Sequence, residues 1–361
     1  MGVSFMDKNN IGYAVLGLGV GMGHVRGAMD LRGGRLVAVC DLCEDRLAKA
    51  VDACKDSKSK DVRTYTNFTK MLNDPDVDVV SIATPSGMHA YHAIMAMNAG
   101  KHVLIEKPID VSVARAEEIV RVWKMMGVKA SCVFQCRRWP CITEVKRVLD
   151  EGKLGEVFSG LYRINWLRTD EYYAQPIASG EAWRGTWQWD GGGSLMNQGV
   201  HTTDLMQWLM GGVESVTSAT KIFNHKIETE DFTSSIVRFK SGAIGNLVST
   251  TCNGGKTTTD LQFFGTKGSV CIENTKITSW VVPGEDEAEM IAKYADGGAA
   301  VTKDAAAAQG HAFHVQDLID AIREDRKPYI QPDEALNALK VVLAVYKSAR
   351  EGREVRIDEI K

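Results

Sequence analysis

Ile11-Gly-Tyr-Ala-Val-Leu-Gly17-Leu-Gly19-Val-Gly21-Met-Gly23-His24 is the stretch that decides the fold. A short apolar run ending in glycine is the pattern of a buried parallel strand. The glycines that follow lead into a helical pattern. Glycine lets the backbone turn tightly and approach a pyrophosphate, and the helix behind it offers free N–H groups and a positive dipole end to that anion. In a GxGxxG fingerprint the third glycine would fall at position 22, where Met22 stands. Gly21 and Gly23 flank it, which predicts a turn rearranged by one residue.

Working outward, three more apolar runs read as parallel strands: Leu36–Cys40, Val77–Ala83 and His102–Ile105. Segments rich in Ala, Lys, Glu and Met lie between them. This alternation predicts a doubly wound parallel sheet of the Rossmann kind, within an α/β chain. Asp41 ends the second strand, where a carboxylate accepts hydrogen bonds from adenosine ribose hydroxyls and repels a 2′-phosphate. NAD, rather than NADP, is the expected cofactor, with Gly17, Gly19, Gly21, Met22 and Asp41 as its contacts. The competing role for Asp41 is a simple helix N-cap.

The pattern changes after Pro140. A helix over about 142–150 leads into an alternating strand over 157–166. Later runs at 213–223, 232–239, 243–251, 258–264 and 269–272 fit an antiparallel sheet, interrupted by one long helix over about 194–210. Helices are expected at about 312–324 and 332–351, and the Ala- and Gly-rich stretch 297–308 reads as a mobile loop. The expected domains are therefore residues 1–138 for the cofactor and 139–331 for substrate binding and oligomerisation. The second domain is α+β, with an open, mostly antiparallel sheet.

At 361 residues the chain exceeds one compact core. A formal net charge of −3 and a pI near 6.3 argue against nucleic-acid or anionic-membrane partners. The N-terminal MGVSFMDKNN lacks a signal-peptide core, and no run approaches the roughly 20 apolar residues of a membrane span. A cytoplasmic location is expected. Of eight cysteines, Cys40 and Cys43 form one CxxC without a second to complete a zinc site, so reduced, mostly buried thiols are expected. His311 and His314 stand three apart on a helix, and packing or hydrogen bonding is expected of them; no metal is.

Two further stretches carry a family resemblance. Ile82-Ala-Thr-Pro-Ser-Gly-Met-His89 followed by Gly100-Lys-His-Val-Leu-Ile-Glu-Lys-Pro108, and Asp190-Gly-Gly-Gly-Ser-Leu-Met-Asn-Gln-Gly-Val-His201, resemble the glucose–fructose oxidoreductase/inositol dehydrogenase/MocA family. Glu106-Lys107-Pro108 is similar to its EKP signature, and Gly310–Val355 to its closing helices. The resemblance implies a cis Lys-Pro bond, a final helix (332–351) returning to the Rossmann domain, and a homo-oligomer through the open sheet. It also implies that Thr84, Pro85 and His89 line the nicotinamide side, with Glu106 and Lys107 at the cofactor. Inositol dehydrogenases have Asp where this chain has Asn197, whereas a branch of nucleotide-sugar and glycoside oxidases has Asn.

Oxidising an alcohol with NAD⁺ sends a hydride to the nicotinamide and a proton to a base. On an α-helix Asn197 and His201 share one face. Lys107 ends a parallel strand, where doubly wound sheets bind ligands. The two belong to separate domains, which places the expected cleft between them. Either His201 is the base and Lys107 polarises the oxygen, or Lys107 takes the proton and His201 passes it on. Tyr162, Trp166, Tyr172, Tyr173, Trp183, Trp187 and Trp189 crowd the segment before that helix, and aromatic faces suit pyranose rings. About half must be ordinary core. Arg138, Arg163, Arg168 and Arg184 either bind a carboxylate or diphosphate or make surface ion pairs. Arg138, Trp166, Trp183, Arg184, Asn197 and His201 are the expected substrate contacts. The leading expectation is a dehydrogenase of a ring hydroxyl, C3, in a hexose or glycoside. The alternatives are a dehydrogenase of the UDP-N-acetyl-glucosaminuronate kind, an NAD-dependent glycosidase with transient oxidation, and a non-catalytic NAD sensor.

Overall fold

The computed structural model describes residues 7–176, 180–295 and 303–361. It divides into two compact units, one of residues 7–135 and 303–336, the other of 136–176, 181–295 and 337–361.

The first unit opens with β1 (Ile11–Leu16), α1 (Met22–Ala28), β2 (Gly34–Cys40), α2 (Glu44–Cys54), β3 (Arg63–Tyr65) and α3 (Phe68–Leu72). It continues with β4 (Val79–Ile82), α4 (His89–Asn98), β5 (His102–Ile105), α5 (Val113–Met126) and β6 (Ala130–Cys132). All six strands are parallel, in the order β3-β2-β1-β4-β5-β6. Every residue of β1 is buried, as its unbroken apolar run requires of a central strand covered on both faces. The strand order reverses between β1 and β4, and ligands of such sheets bind beyond the carboxyl ends at that point.

The second unit holds α6 (Pro140–Asp150), β7 (Val157–Asn165), α7 (Asp170–Tyr173), α8 (Val200–Leu209), β8 (Val213–Lys221), β9 (Phe232–Phe239) and β10 (Ile244–Thr250). β11 (Thr258–Gly265), β12 (Ser269–Glu273), β13 (Lys276–Val281) and α9 (Glu287–Lys293) follow. Beyond them come α10 (Lys303–Arg323), α11 (Pro332–Glu351) and β14 (Val355–Arg356). The eight strands run in the order β13-β12-β11-β7-β10-β9-β8-β14, with only β7 and β10 parallel. Strand alternation splits the sheet into two faces. Tyr162, Leu247, Val237 and Phe263 are buried on one, while Leu161, Ile236 and Ile244 remain exposed on the other.

Four expectations need correction. The helix that returns to the first unit is α10, not residues 332–351. Its Val315, Leu318, Ile319 and Ile322 join Val15, Val25 and Ala28 in one core. Close approach explains the choice: a Cβ on Gly27 would lie 2.8 Å from Ala312 Cα, so glycine there lets α10 come close to the α1 backbone. From Asn337 onward α11 belongs to the second unit, where the Ser348 hydroxyl accepts the Ser218 N–H at 3.0 Å. The boundaries at 138 and 331 shift accordingly. Second, of the expected loop 297–308, residues 297–302 lie outside the described residues and 303–308 already belong to α10, consistent with alanine's high helix propensity. Third, Ser194–Gly199 is π-helix rather than the start of an α-helix. Fourth, the structure adds four strands to those expected, the short β3, β6 and β14 and the six-residue β13. Among the described residues no helix is long and apolar enough to cross a membrane.

Candidate active site

In the first unit the turn after β1 depends on Gly21, where a Cβ would stand 1.9 Å from the Gly17 carbonyl oxygen. Gly17 itself has φ +86°. No atom lies within 4 Å of where a Cβ on Gly19 would stand, so the backbone there is open to a ligand. Gly23 meets His311 of α10, 3.2 Å from its would-be Cβ to Nδ1. The displaced glycine of the fingerprint thus serves helix packing against α10, while Met22 packs against the core. Asp41 is buried at the end of β2. Its Oδ2 accepts the Leu18 N–H at 2.7 Å and its Oδ1 the Cys43 N–H at 2.9 Å. The N-cap of α2 is Cys43, so Asp41 steadies the glycine loop instead of capping the helix. An open glycine backbone and a carboxylate at the end of β2 fit an adenine dinucleotide.

The EKP segment follows β5, and the Lys107–Pro108 bond is cis, as the resemblance implied. Glu106 lies inside the unit rather than on an open surface. Its Oε1 is 2.9 Å from His24 Nε2 and 3.0 Å from His311 Nε2, and its Oε2 accepts the Lys107 N–H at 3.1 Å. Ser81 Oγ sits 2.6 Å from His24 Nδ1. With both rings donating Nε2–H and Ser81 donating to His24, these hydrogen bonds are complete. Burial pushes the Glu106 carboxyl up, but the two imidazoles outweigh it and hold the group well below the usual range. Burial likewise lowers His24. His24, Glu106 and His311 have the geometry of three metal ligands; their mutual hydrogen bonds already account for it. His311 therefore hydrogen-bonds as expected, whereas burial pushes its neighbour His314 down to about 3.

His89 is buried behind the loops, not open to a ligand. Its Nδ1 is 2.7 Å from the Pro108 carbonyl and its Nε2 2.8 Å from that of Thr84. One ring thus ties the loop after β4 to the loop after β5. Thr84 and Pro85 are half-buried, and Thr84 Oγ1 lies 3.1 Å from His92 Nδ1.

In the second unit Asn197 sits in the π-turn and His201 in α8, both half-buried. Asn197 thus stands in a wider turn than the expected α-helix, a feature frequent at functional sites. The turn is held from below by Glu230. This buried carboxylate accepts the N–H groups of Gly193 (2.9 Å) and Leu195 (2.8 Å) and the Ser194 hydroxyl (3.2 Å). A Cβ on Gly193 would stand 1.8 Å from the Glu230 carbonyl oxygen, so the glycine run is a steric requirement. Burial pushes Glu230 up to about 7 against these donors. Asn197 Nδ2 donates to Asp190 Oδ1 at 2.7 Å, and Asn197 Oδ1 accepts from Tyr172 Oη (3.2 Å) and Gln198 Nε2 (2.9 Å).

The aromatic segment separates into two groups. Tyr162 and Tyr173 are core. Tyr172 lies between two guanidinium groups, with Arg168 at 4.9 Å and Arg184 at 4.6 Å from its ring centre. Arg168 also covers Trp166 and Arg184 covers Trp183, each at 4.8 Å. Arg168 donates to Gln198 Oε1 at 3.0 Å, which joins this array to Asn197. Trp166 Nε1 donates to Thr259 Oγ1 at 3.1 Å. Trp187 is exposed and packs edge-on against Tyr346. Arg138 is exposed at the end of a short turn, and none of the contacts described joins it to this array. Sequence reasoning assigned no role to Glu230 or Asp190. Asp190 had a signal, since it directly precedes the glycine run; Glu230 had none.

The family comparisons agree with this architecture. Residues 11–134 match the oxidoreductase-family NAD-binding Rossmann fold, and residues 146–357 the oxidoreductase-family C-terminal alpha/beta domain. The chain is 26% identical to levoglucosan dehydrogenase of Pseudarthrobacter phenanthrenivorans over 231 residues, and the match spans 57% of each protein, a little over half that relative's length. It is 23% identical to the NAD⁺-dependent scyllo-inositol 2-dehydrogenase of Bacillus subtilis, over 80% of each chain. Among solved structures, the WlbA dehydrogenase of Bordetella pertussis, in complex with NADH and UDP-GlcNAcA, superimposes with a TM-score of 0.85 at 28% identity, covering 98% of this chain and 99% of that one. With both of its folded parts matched, this chain belongs to the Gfo/Idh/MocA oxidoreductase family, and its Rossmann domain is an NAD-binding one.

Proposed function

We propose that this protein is an NAD-dependent dehydrogenase that oxidises a secondary ring hydroxyl, at C3, of a hexopyranose or its glycoside to a ketone, or catalyses the reverse. The observation that carries this reading is the Asn197–His201 segment, held by Glu230 and Asp190 on a π-turn and joined to an aromatic array suited to a sugar ring. NAD⁺ supplies the hydride acceptor. His201 accepts the hydroxyl proton while Lys107 donates a hydrogen bond to the same oxygen; the alternative is that Lys107 takes the proton and His201 passes it on. Asn197 helps to orient His201 and borders the substrate. Asp41 selects NAD through the adenosine ribose, and Gly17, Gly19, Gly21 and Met22 form the pyrophosphate turn. Thr84 and Pro85 line the nicotinamide side.

A second reading, a sugar that carries an acidic group, is favoured by the guanidinium pair on Tyr172. Two cations on one half-buried ring suit a carboxylate or diphosphate. The relative solved with UDP-GlcNAcA supports it as well.

Incubating the protein with NAD⁺ and a panel of neutral glycosides, uronates and nucleotide sugars tests the proposal, read by NADH formation and product NMR. A 3-ketone with NADH supports it. Free sugar released without NADH would point to redox-neutral glycoside cleavage, and no turnover on any sugar would sink it. The exposed sheet face with Leu161, Ile236 and Ile244 supports a homo-oligomer, which light scattering of the purified protein tests.

A further inference from the structure

Position 197 receives two opposite demands. Asp190 is fully buried, and its Oδ2 accepts the Gly185 N–H at 2.9 Å. Its Oδ1 faces the side chain at 197, which must therefore donate. On the other side Tyr172 Oη and Gln198 Nε2 both point at residue 197, which must accept. A carboxamide does both; a carboxylate does only the second. Aspartate at 197 would set two carboxylates at hydrogen-bond distance, and they could not both ionise. Gly185 and Asn197 each give Asp190 an N–H group.

We propose that Asp190 is the positioning residue of the active-site segment: it dictates asparagine at 197 and fixes which way that carboxamide points. The proposal rests on the reading of Asn197 and His201 as reaction residues. Other charged and titratable groups border the pair: Arg168 and Arg184 on the Tyr172 ring, the phenols of Tyr172, Tyr173 and Tyr346, and Glu230 beneath the turn. None of them supplies both a buried acceptor and a direct bond to Asn197 among the contacts described.

The pair can be exchanged. In the double variant D190N/N197D the carboxamide oxygen introduced at position 190 accepts the Gly185 N–H, and its amide donates to the carboxylate introduced at position 197. That carboxylate still accepts from Tyr172 and Gln198. Each single variant breaks one bond: Asp190→Asn sets donor against donor, and Asn197→Asp sets acceptor against acceptor. Melting temperature, NADH affinity and kcat are measured for all three variants. Each single variant is expected to melt several degrees lower and to lose on the order of 10-fold to 100-fold in kcat, with NADH affinity kept. The double variant is expected to recover most of both losses. A double variant no better than the worse single one, or single variants that match the parent, would overturn the proposal. Recovery of melting without recovery of kcat would retain the hydrogen-bonded pair and overturn its positioning role. If no sugar is turned over by the parent, that failure belongs to the functional reading, and the melting comparison still decides the pair.

Discussion

Arg137 and Asp204 form a bidentate ion pair beneath α8, with Nε to Oδ2 at 2.8 Å and Nη2 to Oδ1 at 2.7 Å, both side chains buried. Asp204 stands one turn after His201, and the Arg137 guanidinium also lies 4.8 Å from the Trp208 ring centre. The helix that carries His201 is thus anchored at its base by a pair that water does not reach.

Arg137→Ala removes both N–H donors of this bidentate pair from the buried Asp204 carboxylate. The expected cost is about 3–5 kcal/mol of folding stability. Replacing both partners with apolar residues of similar volume should cost less, because no charge is then stranded. Chemical denaturation of the parent and the two variants checks the order.

The role proposed for Asp41 in cofactor choice can be measured directly. NAD is expected to bind at least about tenfold more tightly than NADP, a difference of about 1.4 kcal/mol, because a carboxylate at the end of β2 would repel a 2′-phosphate. Asp41→Ala should narrow the gap, and it should also loosen the glycine loop through loss of the Leu18 bond. Fluorescence titration with both cofactors measures this; a preference for NADP in the parent would remove Asp41 from the role.

Lys107→Ala and His201→Ala should each lower kcat by about 10²–10⁴-fold while NAD binding persists. Near-parental turnover in either variant on the true substrate excludes that residue from the proton path. The pH–rate profile of His201→Ala separates the two base assignments. Loss of the lower apparent pKa identifies His201 as the base, and its retention points to Lys107.

Glu230 makes stability depend on pH. Burial lifts its folded pKa from 4.5 to about 7. Its contribution is fully present below the unfolded pKa and is lost as pH rises through the folded one, in total about 3 kcal/mol. Glu230→Gln should lack this decline between about pH 4.5 and 7. Thermal melts across that window, compared with the parent, are the measurement.

Arg184 discriminates among sugars if the acidic-sugar reading holds. Arg184→Ala should raise KM for uronates or nucleotide sugars by about tenfold or more, the range of one charge-assisted contact, and leave neutral glycosides unaffected. Equal changes for both classes would show that the guanidinium only braces Tyr172.

Much of this molecule is legible in the chain itself. The run from Ile11 to Leu16 is unbroken because a central parallel strand is covered on both faces, and the alternation of Ser269-Val-Cys-Ile-Glu273 is that of a strand with one face better covered than the other. Both patterns are local, so the fold class and most strand limits follow from them. The short β3, β6 and β14 were missed because two or three residues cannot display a period. The Glu106-Lys107-Pro108 and Asn197–His201 motifs were likewise visible, since glycines, a lysine and a histidine at set spacings are local facts.

Partners distant in sequence were not visible. The sequence showed an imperfect glycine fingerprint at Met22; only the packing of α1 on α10 shows why Gly23 replaces it, with His311 against its Cα. Glu106 read as a cofactor contact, but His24 and His311, far from it along the chain, enclose its carboxylate. The helical pattern over 194–210 carried no sign of a π-turn, because Glu230 imposes that turn by gathering the N–H groups of Gly193 and Leu195. Asn197 looked like the loss of a charge. Folding brings Asp190 against it, one hydrogen bond away, and that acceptor asks for a carboxamide. Periodicity and spacing are properties of a segment and determine its local form. The protonation, orientation and role of a buried polar group are determined by whichever groups the fold sets around it, because burial removes the water that would otherwise satisfy it.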